Sequence, residues 1–208
     1  MVNEVADDYY AHVLATAPET AYFSGIELDR HDGLSDNSLA AVAASEAAID
    51  AMLARLQTVD ADDLAGDPAW ITYAYLREEI EAKVGVRVCR TEIWNVNQMG
   101  GWQLGYAQIA QLQPVGTAEL REQSLARWSK FARLINQEMA NLEVGIELGY
   151  TAPKTVVERV VDQVDGLLAL DIEESPFYSP AARDDDESFA EATRALVVDQ
   201  ITPCLLYT

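Results

Sequence analysis

An all-α fold is predicted by three observations. Apolar residues recur at steps of three and four through every long segment, and capping residues stand where those segments begin. No stretch alternates apolar and polar residues for long enough to form a strand, and no internal repeat period is visible. The pattern implies a multi-helix, bundle-like array in a single helical region over residues 1–208.

The first helix runs from about Val5 to Ala15, with Tyr9, Tyr10, Val13 and Leu14 as its apolar stripe. A glycine-punctuated loop, Ser24-Gly25 through His31-Asp32-Gly33, leads to Asp36, a capping residue for a helix over about residues 37–57. Leu39, Val42, Ile49, Met52, Leu53 and Leu56 form its buried face. The acidic connector from Val59 to Asp63 precedes Asp67-Pro68, a capping side chain before a proline suited to a first helical turn. That helix extends to about Val88.

Periodicity fails between Arg90 and Gly101, where Trp94, Asn95, Val96, Asn97, Gln98 and Met99 lead into a Gly100-Gly101 hinge and Trp102. A short helix from about Gln103 to Leu112 stops before Pro114, and Thr117 caps the longest helical pattern of the chain. Trp128, Phe131, Ile135, Met139, Leu142 and Ile146 form its buried face, and Gly149 ends it. The short connection around Gly149 favours an antiparallel neighbour, a helix starting after Pro153 with Val157, Val160, Val161, Val164 and Leu168 on one side. A proline-containing loop from Ser175 to Pro180 and a last helix over about Asp185 to Ile201, finishing near Pro203, complete the pass.

Composition excludes more than it identifies. With 14 basic and 35 acidic residues the net charge is −21, which repels phosphate backbones and anionic headgroups and so argues against nucleic acid and membrane-surface partners. Half the residues are apolar, enough for a packed core. Cys89 and Cys204 stand far apart and read as reduced thiols. The acidic N-terminus has no basic, then apolar, leader pattern, which predicts a cytoplasmic protein.

Of the chemistry-bearing patterns, none is complete. Zinc hydrolysis needs clustered imidazole or carboxylate ligands, typically His-Glu-x-x-His on one helix, whereas the two histidines, His12 and His31, lie apart and neither starts that motif. His12 follows Asp8 by one helical turn and could share its face. Neither histidine has a glutamate three residues before it, which excludes the di-iron pattern, and no Gly-x-Ser-x-Gly, Gly-x-Gly-x-x-Gly or phosphate-loop sequence occurs. The run Asp184-Asp185-Asp186-Glu187 lacks the spacing of a calcium loop and suits the positive end of a helix.

The Trp94 to Trp102 segment differs in kind. Asn95, Asn97 and Gln98 offer paired donors and acceptors to a peptide backbone, and Trp94 an apolar edge, as a substrate groove requires. Aromatics and amides in a long connection also suit a buried, hydrogen-bonded corner.

This segment, together with the stretches Gly145 to Val157 and Ser175-Pro176-Phe177-Tyr178, resembles the N-terminal half of the domain of unknown function 885 family. The likeness extends to about Thr202. Members are bacterial, mostly helical, longer than this chain and similar to gluzincin-type zinc metallopeptidases. The resemblance implies an N-terminal fragment of a zinc-binding peptidase-like protein, whose fold is incomplete and whose metal-bearing C-terminal half is a missing partner. The family's His-Glu-x-x-His helix lies beyond the matched region, so the resemblance assigns no catalytic or metal residue here and no cofactor to this chain. The expected role is one wall of a peptide groove formed by Trp94, Asn95, Asn97 and Gln98, inactive alone; a stand-alone helical interaction scaffold is the alternative. A missing half also predicts an exposed apolar patch at the C-terminus, through Phe189, Leu196, Val197, Ile201, Leu205, Leu206 and Tyr207, with the Trp94 to Trp102 segment as a second candidate.

Overall fold

The computed structural model describes residues 1–206, which form helices and turns with no strand. The N-terminal elements are α1 (Val2–Thr16), the short α2 (Thr20–Ser24), α3 (Leu39–Leu56) and α4 (Ala69–Val86). Helices α1, α3 and α4 pack together around Val2, Val5, Ile49, Met52, Leu56, Tyr73, Leu76 and Ile80. Each such side chain contributes roughly 1.5–3 kcal/mol by leaving water.

Two local expectations shift here. The buried face of α1 begins at Val2 and Val5, a turn earlier than predicted, and Tyr10 is half exposed. The cap of α3 is Ser38, whose hydroxyl accepts from the Ala41 amide at 3.2 Å. Asp36 stands two residues outside, accepting from the Ser38 amide at 3.0 Å. Asp67 behaves as expected, accepting from the Ala69 amide at 2.8 Å before α4.

A second core is built by α5 (Trp102–Leu112), α6 (Ala118–Trp128), α7 (Phe131–Leu148) and α8 (Lys154–Leu168). Its centre is aromatic: Phe177 meets Trp128 edge-on at 5.5 Å between centroids and Phe131 at 5.0 Å. Phe177 comes from the stretch expected to be a loop, which folds into a tight turn, Pro176–Tyr178, followed by α9 (Ser179–Ala182). Thr117 caps α6 as predicted, its hydroxyl accepting from the Leu120 amide at 3.2 Å.

The single long helix expected after Thr117 is two. It breaks at Ser129-Lys130, where the Ser129 hydroxyl donates back to the Ala126 carbonyl at 3.0 Å and Lys130 leaves ideal helical geometry (ψ −7°). The Lys130 ammonium reaches the Asp32 carbonyl at 2.7 Å, so a contact ninety-eight residues away stands at the break. The buried stripe of α7 is Phe131, Leu134, Ile135, Glu138, Asn141 and Gly145; Ile146, expected inside, is 67% exposed. On α8, Val160 and Val164 are buried, whereas Val157 and Val161 face outward.

The chain ends in α10 (Glu187–Leu196), a widened π turn (Val197–Ile201) and α11 (Thr202–Leu206). The widened turn falls just before Pro203, whose ring removes an amide and crowds the preceding helical carbonyl. Asp186 caps α10, accepting from the Phe189 amide at 2.9 Å. The expected C-terminal patch is absent among the described residues: Phe189, Leu196, Val197, Ile201 and Leu205 are buried, and Leu206 alone of the set is exposed. Contacts of α10 with α6, of the π turn with α7 and of α11 with α8 close this amphipathic face within the chain itself. The segment after α10 touches both α7 and α8. Tyr207 lies outside the described residues. No helix described is long and apolar enough to cross a membrane.

Candidate functional site

The extended chain entering α3 lies along the polar side of α6 and α7. Arg127 Nε donates to the Gly33 carbonyl at 2.7 Å, Lys130 to Asp32, and Arg133 to Ser35 at 3.2 Å. Further along, Gln137 Oε1 accepts from the Asn37 amide at 3.1 Å and Asn141 Nδ2 donates to the Asn37 carbonyl at 2.7 Å. These side chains recur at helical steps of three and four and so share a face. They satisfy backbone groups of a segment that has no helix or sheet of its own.

Glu138 lies next to this face, on the buried stripe of α7, and is 3% exposed. Asn37 Nδ2 donates to its Oε1 at 2.5 Å and Asn95 Nδ2 to its Oε2 at 3.2 Å. Burial raises the Glu138 pKa above the usual 4.5, and the two amide donors oppose that shift. With Asn37, Thr91, Glu92, Asn95 and Asn141 it lines a cavity of about 260 Å³.

Asn95 belongs to the corner singled out in the sequence. Trp94 Nε1 donates to the Cys89 carbonyl at 2.8 Å, which pins the indole at the rim. Asn97 Oδ1 accepts from the amides of Met99 (2.8 Å) and Gly100 (3.3 Å), and the Gln98 carbonyl accepts from Gln163 Nε2 at 2.9 Å. Gln103, 1% exposed, donates to the Asn97 carbonyl at 3.0 Å. The corner is seated on α7 at Gly145, where a Cβ would lie 1.8 Å from the Ile93 carbonyl oxygen. Only a glycine allows that approach.

Trp94, Asn95, Asn97 and Gln98 thus come together along one cleft of about 300 Å³, which Pro153 and Val156 also line. Thr91 and Asn95 line both this cleft and the Glu138 cavity, which makes the two neighbours across Asn95. The Asn97 carboxamide oxygen is committed to the turn, so it serves the corner rather than the open cleft. Glu138, Asn141 and Asn37 did not emerge from the sequence reading. Their signal is the register of α7: the stripe set by Phe131 and Ile135 continues through Glu138 and Asn141, two polar residues at core positions.

The histidines serve separate purposes. His12 Nε2 lies 2.8 Å from the Ser45 hydroxyl, between α1 and α3. Tyr22 Oη accepts a hydrogen bond from Arg127 Nη1 at 2.6 Å and lies 2.8 Å from His31 Nδ1. Burial, then the nearby guanidinium, lowers the His31 pKa, in keeping with a neutral imidazole. Arg127 is fully buried and packs over the Tyr22 ring at 4.9 Å. Asp184 holds Arg121 and accepts from the Gly116 amide at 2.9 Å, so the acidic run tethers α6 and caps α10. Among the described residues no three His, Cys, Asp or Glu side chains converge on a point, and the residues present do not fit a catalytic zinc.

The molecule is an all-helical array with a polar trough at the junction of α3, α7 and an amide-rich corner. It belongs to the family of bacterial proteins of unknown function known as DUF885, whose model matches residues 18–206. A comparison with curated proteins finds no match.

Proposed function

We propose that this chain forms one wall of a peptide-binding groove in a zinc-metallopeptidase-like protein, supplying binding rather than chemistry, with the zinc and its ligands coming from a C-terminal half. The observation that carries this reading is the pair of neighbouring clefts sharing Thr91 and Asn95. An extended peptide presents its amides and carbonyls at a rise of about 3.3 Å per residue, and carboxamides offer both a donor and an acceptor to such a backbone. Trp94, Val96, Pro153 and Val156 give the adjoining apolar surface. Titration of the purified chain with the neutral, doubly capped peptide acetyl-Ala-Ala-Leu-Ala-Ala-amide, followed by calorimetry and tryptophan fluorescence, tests it. Saturable binding, weakened about tenfold by Trp94→Ala with thermal unfolding retained, is expected; an affinity unchanged by Trp94→Ala and Asn95→Ala would remove the groove.

The second reading is a helical interaction scaffold without catalysis. It is favoured by Ile71 and Tyr75, one turn apart on α4 and 73% and 72% exposed.

A further inference from the structure

We infer that the cavity over Glu138 is a subsite for a primary ammonium group, such as the free amino terminus of a peptide. This deepens the groove reading and rests on it only for the peptide as ligand. The starting point is a charge without a partner of opposite sign. Glu138 is 3% exposed, yet no lysine or arginine among the described residues lies within ion-pair distance of it. The basic residue of its own helix, Arg133, is committed to Asp36 and to the carbonyls of Leu34 and Ser35. A buried carboxylate is ordinarily paired with a cation.

Acceptor capacity points the same way. A carboxylate offers about four lone-pair positions, and Glu138 receives two amide donors. Asn95 and Asn141 line the same cavity, and their carboxamide oxygens accept no hydrogen bond from the described residues. One carboxylate and two amide oxygens match the three protons of an ammonium. A guanidinium suits the site less, because it needs the free edge of both carboxylate oxygens, and here each oxygen already holds an asparagine amide. A hard divalent ion needs six or more oxygens with several charges, whereas no trio of acidic or imidazole groups converges there. The net charge of −21 raises the local concentration of cationic ligands.

Four probes of the purified chain test this by calorimetry: alaninamide, N-acetylalaninamide, and the peptide Ala-Ala-Leu-Ala-Ala-amide with a free or an acetylated amino terminus. The free amines are expected to bind at least tenfold more tightly than their acetylated forms. Glu138→Gln should abolish that preference while far-UV circular dichroism and thermal unfolding stay close to the parent. Should that variant fail to fold, Asn141→Ala keeps the carboxylate and is expected to reduce the preference several-fold. An acetylated peptide carrying one lysine separates an α-ammonium from an ε-ammonium source: binding as tight as the free peptide assigns the site to lysine side chains. Equal affinity of free and acetylated probes, or a preference that survives Glu138→Gln, overturns the inference even if both peptides bind the groove. If alaninamide binds through Glu138 while no peptide binds, the ammonium subsite stands and the groove reading falls.

Discussion

Along the α6–α7 arm, the apolar side packs Trp128, Phe131, Leu134 and Ile135 into a core completed by Phe177, whereas the polar side extends Arg127, Lys130, Arg133, Gln137 and Asn141 to the backbone of residues 32–37. The first side works by area, which is additive and indifferent to direction. The second works by matching donors and acceptors to individual backbone groups, so the loss of a side chain strands the group it served. The apolar side therefore holds the arm together. The polar side determines where the entrance to α3 lies and, through Asn37, how Glu138 is held at the trough.

If that division is right, truncation on the apolar side should have the largest effect. Phe131→Ala removes a fully buried ring in contact with Phe177, Trp128 and Tyr106, and a loss of about 3–5 kcal/mol in urea unfolding is expected. On the polar side, Asn37→Ala withdraws the donor at 2.5 Å from Glu138 but leaves the backbone bonds to Gln137 and Asn141 available. A loss of about 1–3 kcal/mol is expected from the same measurement. Losses of equal size in the two variants would break the comparison and make the polar side a principal anchor.

The smallest effect concerns pH and sharpens the comparison from outside the arm's core. Arg121 holds the Asp184 carboxyl below its ordinary 3.8, at about 2, which means that the folded state retains the ionised form longer than the unfolded chain does. Stability from this pair is present above about pH 4 and is lost as pH falls toward 2. Glu138 has the opposite sign: its raised pKa lets the unfolded chain ionise first, so its contribution falls as pH rises above 4.5. Asp184→Asn is expected to flatten the acid limb of an unfolding titration between about pH 4 and 2, and Glu138→Gln to leave that limb in place. An acid limb unchanged by Asp184→Asn would mean that the Arg121 contact carries no net stability.

Much of the scaffold was legible because it rests on local rules. Thr117, Asp67 and Gly149 mark helix ends through their own side chain or backbone geometry, and Ile49, Met52 and Leu56 show the buried face of α3 by spacing alone. The corner from Trp94 to Gly101 was visible as a failure of periodicity, and its residues do meet along one cleft. The break at Ser129-Lys130 was not visible, since a lysine there carries no local signal and its partner is the Asp32 carbonyl. Nor was the burial of Phe189, Leu196, Val197 and Ile201 on the chain's own helices, which depends on where α6, α7 and α8 stand.

By itself, then, the sequence determined the all-helical class, most helix boundaries, the amide-rich corner and the family, because capping, periodicity and short motifs act between residues a few positions apart. Only the tertiary structure decided that Glu138 lies buried beneath Asn37 and Asn95. Those partners are 101 and 43 residues away along the chain, and a carboxylate's surroundings are fixed by what the fold places against it.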